Sequence, residues 1–324
     1  MIRRSFSICL LLAAATLAAP LVHAQTKLKW AHVYEISEPY HTQALWAAEE
    51  VKKRTNGRIQ IEVFPASTLG KETDINQALS LGTVDIIYTG MAFAGRQFPP
   101  MSIASGPFIF RDYDHWSKFR EGPVFREVAK GYEDKSGHKI VGYTYYGQRH
   151  LTANKIVQKP EDMKGMKLRV PDAPLFVMFP RAVGANPTPI AFAEVYLALQ
   201  NGTVDAQENP LPTIDAKKFY EVQKYIILTG HITESLVVIV AGSTWGKLSA
   251  ADQKIFSDVI WEATSRSTKE IYDAETKLAT DFEKRGKTVV KVDRAPFIKA
   301  VQPAVTAADA PWPKALYDKV QAIK

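Results

Sequence analysis

In the stretch Gly165-Met166-Lys167-Leu168-Arg169-Val170-Pro171, an arginine sits inside what otherwise reads as a short buried strand, opened by glycine and closed by proline. A guanidinium there needs a partner, because a buried charge left unpaired costs several kcal/mol. The nearest acid, Asp172, lies three positions on and beyond the proline, and Glu208 is a second acid of the chain that could bridge to it. The other option is an acid from outside. A planar guanidinium gives a carboxylate two parallel hydrogen bonds, a geometry lysine cannot copy. Arg149, in "YYGQRHLTAN", follows a second strand-like run, and Asn209, in "DAQENP", follows a third. Phe192 precedes a helix, and His32, Thr89 and Gln148 stand near strand ends that would border the same cleft.

Catalytic constellations are missing from the pattern. "GSTWGK" (242–247) brings its glycines one residue too close for a phosphate loop, and no Ser or Thr follows the lysine. There is no G-x-G-x-x-G after a strand, no G-x-S-x-G and no H-E-x-x-H. Histidines 32, 41, 115, 138, 150 and 231 never fall at metal-ligand spacing with a carboxylate. No enzyme activity, metal or cofactor is expected.

The elements that must position these residues alternate. Strand-like "KLKWAHVY" (27–34) is followed by a helical run at 42–57, the alternating "RIQIEVFP" (58–65), a helix at 72–82 and the apolar strand "VDIIYTG" (84–90). A helix at 122–137 leads into a strand at 138–147. The second half restarts with a strand at 166–170, a helix at 173–184, a turn and helix at 186–202, and a strand at 203–213 that stops at crowded prolines. "SLVVIVAG" (235–242) is β-branched enough for a central strand. This alternation predicts an α/β sheet covered on both faces. From 249 to 286 runs one helical signal, about 50 Å long at 1.5 Å per residue. A helix of that length is expected to span two lobes with a cleft between them.

The chain ends and composition bound the class. Residues 1–24 combine Arg3 and Arg4, an apolar core and the small-x-small Val22-His23-Ala24, which predicts a secretory signal cut before Gln25. The single cysteine, Cys9, lies in that core, so the exported chain is expected to hold no disulfide, which suits a bacterial periplasm. Loss of the two signal arginines lowers the net charge of +7 to +5, spread along the chain, and predicts no nucleic-acid or membrane binding.

Beyond these readings, the order Arg149, Arg169, Phe192, Asn209 resembles the DctP-type substrate-binding proteins of tripartite ATP-independent periplasmic (TRAP) transporters. "GTVD" (202–205), "FYEVQKY" (219–225) and "NGRIQIEVFPASTLGKE" (56–72) carry the same resemblance, which covers essentially the whole exported chain. It implies a two-lobed periplasmic binding protein that closes on an organic acid and hands it to a large and a small membrane subunit of a permease. It implies a carboxylate clamp at Arg169, a helper at Arg149, an amide at Asn209, an aromatic lid at Phe192 and a hydroxyl acceptor at Glu72. Asp172 and His32 are further candidates for ligand hydroxyls. Gly90 and Phe93 stand where sialic-acid receptors carry polar or charged residues. A hexuronate such as D-glucuronate or D-galacturonate is therefore expected, bound by a monomer, with sialic acid or another organic acid as the alternative. A secreted sugar-acid lyase and a sensory receptor are the rival readings. One lobe is expected to comprise 25–146 and 235–274, the other 147–234 and 275–324.

The residues also admit plainer roles. Arg149 could simply position Arg169, Phe192 could be core, Glu72 a helix cap and Asn209 a turn former.

Overall fold

The structure is a computed structural model and describes residues 25–324, so the expected signal segment lies outside the described residues. Nine strands form one sheet: β1 (Thr26–Ala31), β2 (Ile59–Phe64), β3 (Ile86–Gly90), β4 (Lys139–Ala153), β5 (Lys167–Val170), β6 (Asn186–Pro189), β7 (Ala206–Pro210), β8 (Tyr225–Val240) and β9 (Thr288–Lys291). Their order is β2-β1-β3-β8-β4-β7-β5-β6, with β9 also on β8. The parallel strands β1, β2 and β3 join the sheet through the far half of β8, Leu236–Val240. The parallel group β5, β6 and β7 joins through the opposite end of β4, Arg149–Ala153. Two sheet halves are thus joined by two long antiparallel strands, β4 and β8, and the two-lobed α/β expectation holds.

The crossing strands are longer than their sequence signals. The strand expected at 138–147 continues to Ala153, and the one expected at 235–242 begins at Tyr225. Gly147 and Gly230 interrupt both patterns at the junction and mask their continuity. At Gly147 the backbone takes φ +117°, and an added Cβ would stand 2.7 Å from Pro210 Cβ, so only glycine fits. The register of β4 on β8 shifts there, between Tyr145 and Gly147. The helix expected at 173–184 is a 3-10 turn, Pro174–Val177, followed by a short helix, Met178–Ala182. The turn expected to open the 186–202 segment is the edge strand β6; its two prolines are tolerated because they lie at the sheet edge.

The long helix is Ala250–Lys284, capped by Ser249, whose hydroxyl accepts from the Asp252 amide. Its apolar stripe falters in the middle because Thr264, Ser267 and Thr268 are buried there instead. Thr268 Oγ1 receives the Tyr145 amide (3.1 Å), and Glu275 Oε1 receives the Gln148 amide (2.5 Å). The helix supplies acceptors for β4 amides ahead of Arg149, where β7 does not yet pair with β4. No helix among the described residues is long and apolar enough to cross a membrane.

Candidate ligand-binding site

At the junction of the two sheet halves lies a cavity of about 40 Å³, more than the roughly 10–15 Å³ one water needs. Its wall includes Tyr34, Glu72, Gly90, Phe93, Arg149, Arg169, Asp172, Phe176, Phe192, Asn209 and Glu234. Arg169 projects from β5, between Thr188 of β6 and Gln207 of β7. Its Nε and Nη2 donate to the Ile190 carbonyl (3.0 and 2.7 Å), while Nη1 is buried without a partner. Neither candidate acid of the chain pairs with it. Asp172 lies 3.7 Å from Arg96, whose Nη2 also donates to the Asp172 carbonyl (2.6 Å). Glu208 belongs to Arg149. Burial lowers the Arg169 pKa to about 10, with the more distant Glu208 opposing and Arg149 adding to the shift, so the group stays cationic at neutral pH.

Arg149 lies in β4, where the register sets it beside Pro210 of β7. Its Nε donates to Glu208 Oε2 and its Nη2 to Glu208 Oε1 (2.7 Å) and the Glu208 carbonyl (2.9 Å). Burial would raise the Glu208 pKa, but Arg149 and His231 (3.2 Å away) outweigh it and hold the carboxyl at about 2. Burial opposes the charge on Arg149, but Glu208 lifts its pKa above the ordinary arginine value. One cation of the pair is therefore neutralised internally, and the other is not.

Asn209 is buried and held on both sides: its Oδ1 accepts from Tyr146 (3.3 Å) and Arg149 (3.3 Å), and its Nδ2 donates to Gln207 (2.6 Å). Glu72 opens the helix Glu72–Ser80, and its Oε1 accepts from the Gly90 amide (2.8 Å) and Thr89 Oγ1 (2.9 Å). Burial raises its pKa, against those hydrogen bonds and the two arginines. Phe192 begins a 3-10 turn and faces the Tyr34 ring at 6.4 Å.

Three expected site residues stand elsewhere. Thr89 is fully buried behind the wall, bonded to Glu72 and to Asn76 (2.8 Å). Gln148 turns its side-chain oxygen toward Gly230, outside the lining. His32 pairs with His41 (3.2 Å), and burial lowers its pKa to about 3, the neighbouring His41 adding to the shift. Strand-end position located all three, but β-strand side chains alternate, and which face meets the cavity depended on packing. Glu234 and Phe176 were not expected in the wall. Glu234 is an acid inside a β-branched run, the same kind of anomaly that marks Arg169.

The family model of bacterial extracellular solute-binding proteins, family 7 (DctP), matches residues 30–310. The chain belongs to that family. It is 35% identical over 286 residues to the sialic acid-binding periplasmic protein SiaP of Vibrio cholerae, covering 88% of this chain and 89% of that protein. It superposes with TM-score 0.88 and 35% identity on a TRAP periplasmic solute-binding protein from a Polaromonas species bound to D-erythronate, covering 93% of this chain and 99% of that one. A TRAP periplasmic solute-binding protein from Citrobacter koseri with D-glucuronate matches at TM-score 0.87 and 28% identity, covering 93% of this chain and all of that one. This DctP-family chain is a TRAP solute-binding protein with the two-lobed architecture of those structures.

Proposed function

We propose that this protein captures a polyhydroxylated monocarboxylate of about four to six carbons, a hexuronate or an aldonate, and delivers it to the large and small membrane subunits of a TRAP permease. The observation that carries the reading is the Arg169 guanidinium, cationic, buried, with Nη1 unpartnered and no direct ion pair to a protein acid. A ligand carboxylate supplies the missing charge, and closure of the lobe 25–146 plus 235–274 on the lobe 147–234 plus 275–324 excludes water from the pair. Arg149, Asn209, Glu72, Phe192 and Asp172 form the rest of the ligand's surroundings. The protein acts as an exported periplasmic monomer, cut before Gln25.

The expectation of a hexuronate is widened here to aldonates because the similar Polaromonas protein holds D-erythronate. Glu72 accepts hydroxyl hydrogen bonds and repels a second carboxylate, which disfavours dicarboxylates. Sialic acid is a second reading, favoured by the identity with SiaP. Against it, Gly90 and Phe93 line the cavity and offer no side-chain hydrogen bond to an acetamido group or glycerol tail. Calorimetric titration of the protein from Gln25 onward with D-glucuronate, D-galacturonate, D-erythronate, L-galactonate, sialic acid and succinate tests the reading. A sugar acid of the first four should bind at least tenfold tighter than the last two; the reverse order overturns the ligand class.

A further inference from the structure

Among the described residues, two residues of the cavity wall carry a buried side-chain polar atom without a hydrogen-bond partner: Arg169 at Nη1 and Glu234 at Oε2. The first belongs to the anchor already described. Glu234 lies on β8 opposite the Gly147 bulge of β4. Its Oε1 accepts from Ser105 Oγ (2.5 Å) and the Ser235 amide (3.0 Å), which fixes the carboxyl in place. Its Oε2 is 4.0 Å from Arg149 Nη1, beyond hydrogen-bond reach, because Arg149 is committed to Glu208. A buried acceptor held in position yet unsatisfied is costly unless something else completes it.

We infer that Glu234 hydrogen-bonds a hydroxyl group of the bound acid, a second recognition point beside the carboxylate contact of Arg169. The inference rests on the sugar-acid reading and names the group that site reads. The charged and titratable neighbours of the carboxyl are Arg149 on β4, Glu208 on β7, and Tyr143 on β4, with His231 on β8 reaching it through Glu208. Burial raises its pKa to about 7, with Arg149 opposing, so ionised and neutral forms coexist near neutral pH. A hydroxyl serves both: it donates to the carboxylate and accepts from the neutral acid. A second carboxylate or a ketone, which can only accept, could pair with the neutral form alone. Glu234 thereby favours hydroxylated acids over otherwise similar ones.

The test is calorimetry at pH 7.5 with D-erythronate and D-glucuronate, followed by each mono-deoxy analogue of the tighter binder. At least one analogue should bind the unmutated protein tenfold more weakly or worse. In Glu234→Met that ratio should fall below threefold, whereas a merely structural role would weaken acid and analogue alike. Glu234→Ala, which adds no bulk, gives the same readout if methionine fails to pack. If no analogue loses more than threefold, or if the folded variants keep the full ratio, the inference is overturned while the sugar-acid reading stands. If none of these acids binds the unmutated protein, both fall.

Discussion

Arg149 and Arg169 are chemically identical and face the same cavity, yet they do different work. Arg149 shares a buried ion pair with Glu208, whereas Arg169 rests on a neutral carbonyl. Arg149→Ala would leave the Glu208 carboxylate with His231 as its one remaining side-chain partner, and breaking a buried pair on one side costs about 3–5 kcal/mol. The variant should melt well below the unmutated protein in a thermal scan even without ligand; an unchanged melting temperature would show the pair is dispensable to the fold. Arg169→Lys keeps the charge and removes the fork. It should fold normally and lose about 2–5 kcal/mol of sugar-acid affinity by calorimetry. Near-normal binding by the lysine variant would sink the clamp.

The elements that bring these arginines together are β4 and β8, and both bend at a glycine. Gly147 carries φ +117° with Pro210 of β7 pressed against it. A side chain there meets both a backbone penalty and a clash, so Gly147→Ala should destabilise by about 1–3 kcal/mol or more. Because Arg149 is two residues downstream, the same substitution should also disturb the Arg149–Glu208 pair. Chemical denaturation provides the check: a loss under 0.5 kcal/mol (about the size of an ordinary surface change) would mean the bulge relaxes freely. The long helix has the complementary task. Its Thr268 and Glu275 bind amides of β4 on either side of the bulge, ahead of the stretch that β7 pairs.

Across the whole molecule, side-chain pairs join segments attached to opposite sheet halves. Thr213 Oγ1 donates to Glu38 Oε1 (2.7 Å), Lys217 pairs with Glu35 (2.7 Å), and Arg96 with Asp172. Glu38 is fully enclosed, and burial raises its pKa from 4.5 to about 7 despite the Thr213 hydrogen bond. Between those pH values the folded protein holds a proton that the unfolded chain has released. Its contribution to stability is therefore full below pH 4.5 and is lost as the pH climbs through 7, at up to about 1.4 kcal/mol per pH unit. Buried neutral histidines such as His32 and His150 slope the other way below pH 6.5, so the site must be isolated by substitution. Relative to the unmutated protein, Glu38→Gln should gain stability as the pH rises from 5 to 8. A difference that stays constant over that range would remove Glu38 from the titration.

What the sequence determined by itself was local in origin. Strand–helix alternation announced the α/β class, the 249–286 periodicity announced a helix that turned out to run from Ala250 to Lys284, and a guanidinium among apolar neighbours marked Arg169. These signals survive in one dimension because periodicity and the cost of an unpaired charge act on adjacent residues. The tertiary structure decided the rest. The pairing of Arg149 with Glu208 is a register effect: β4 and β7 are separated by more than fifty residues, and the sequence alone had offered Glu208 to Arg169 instead. The inward or outward facing of His32, Thr89 and Gln148 was likewise invisible, since one residue of register turns every strand side chain to the other face. Glu234 entered the wall, and Thr89 left it, for that same reason.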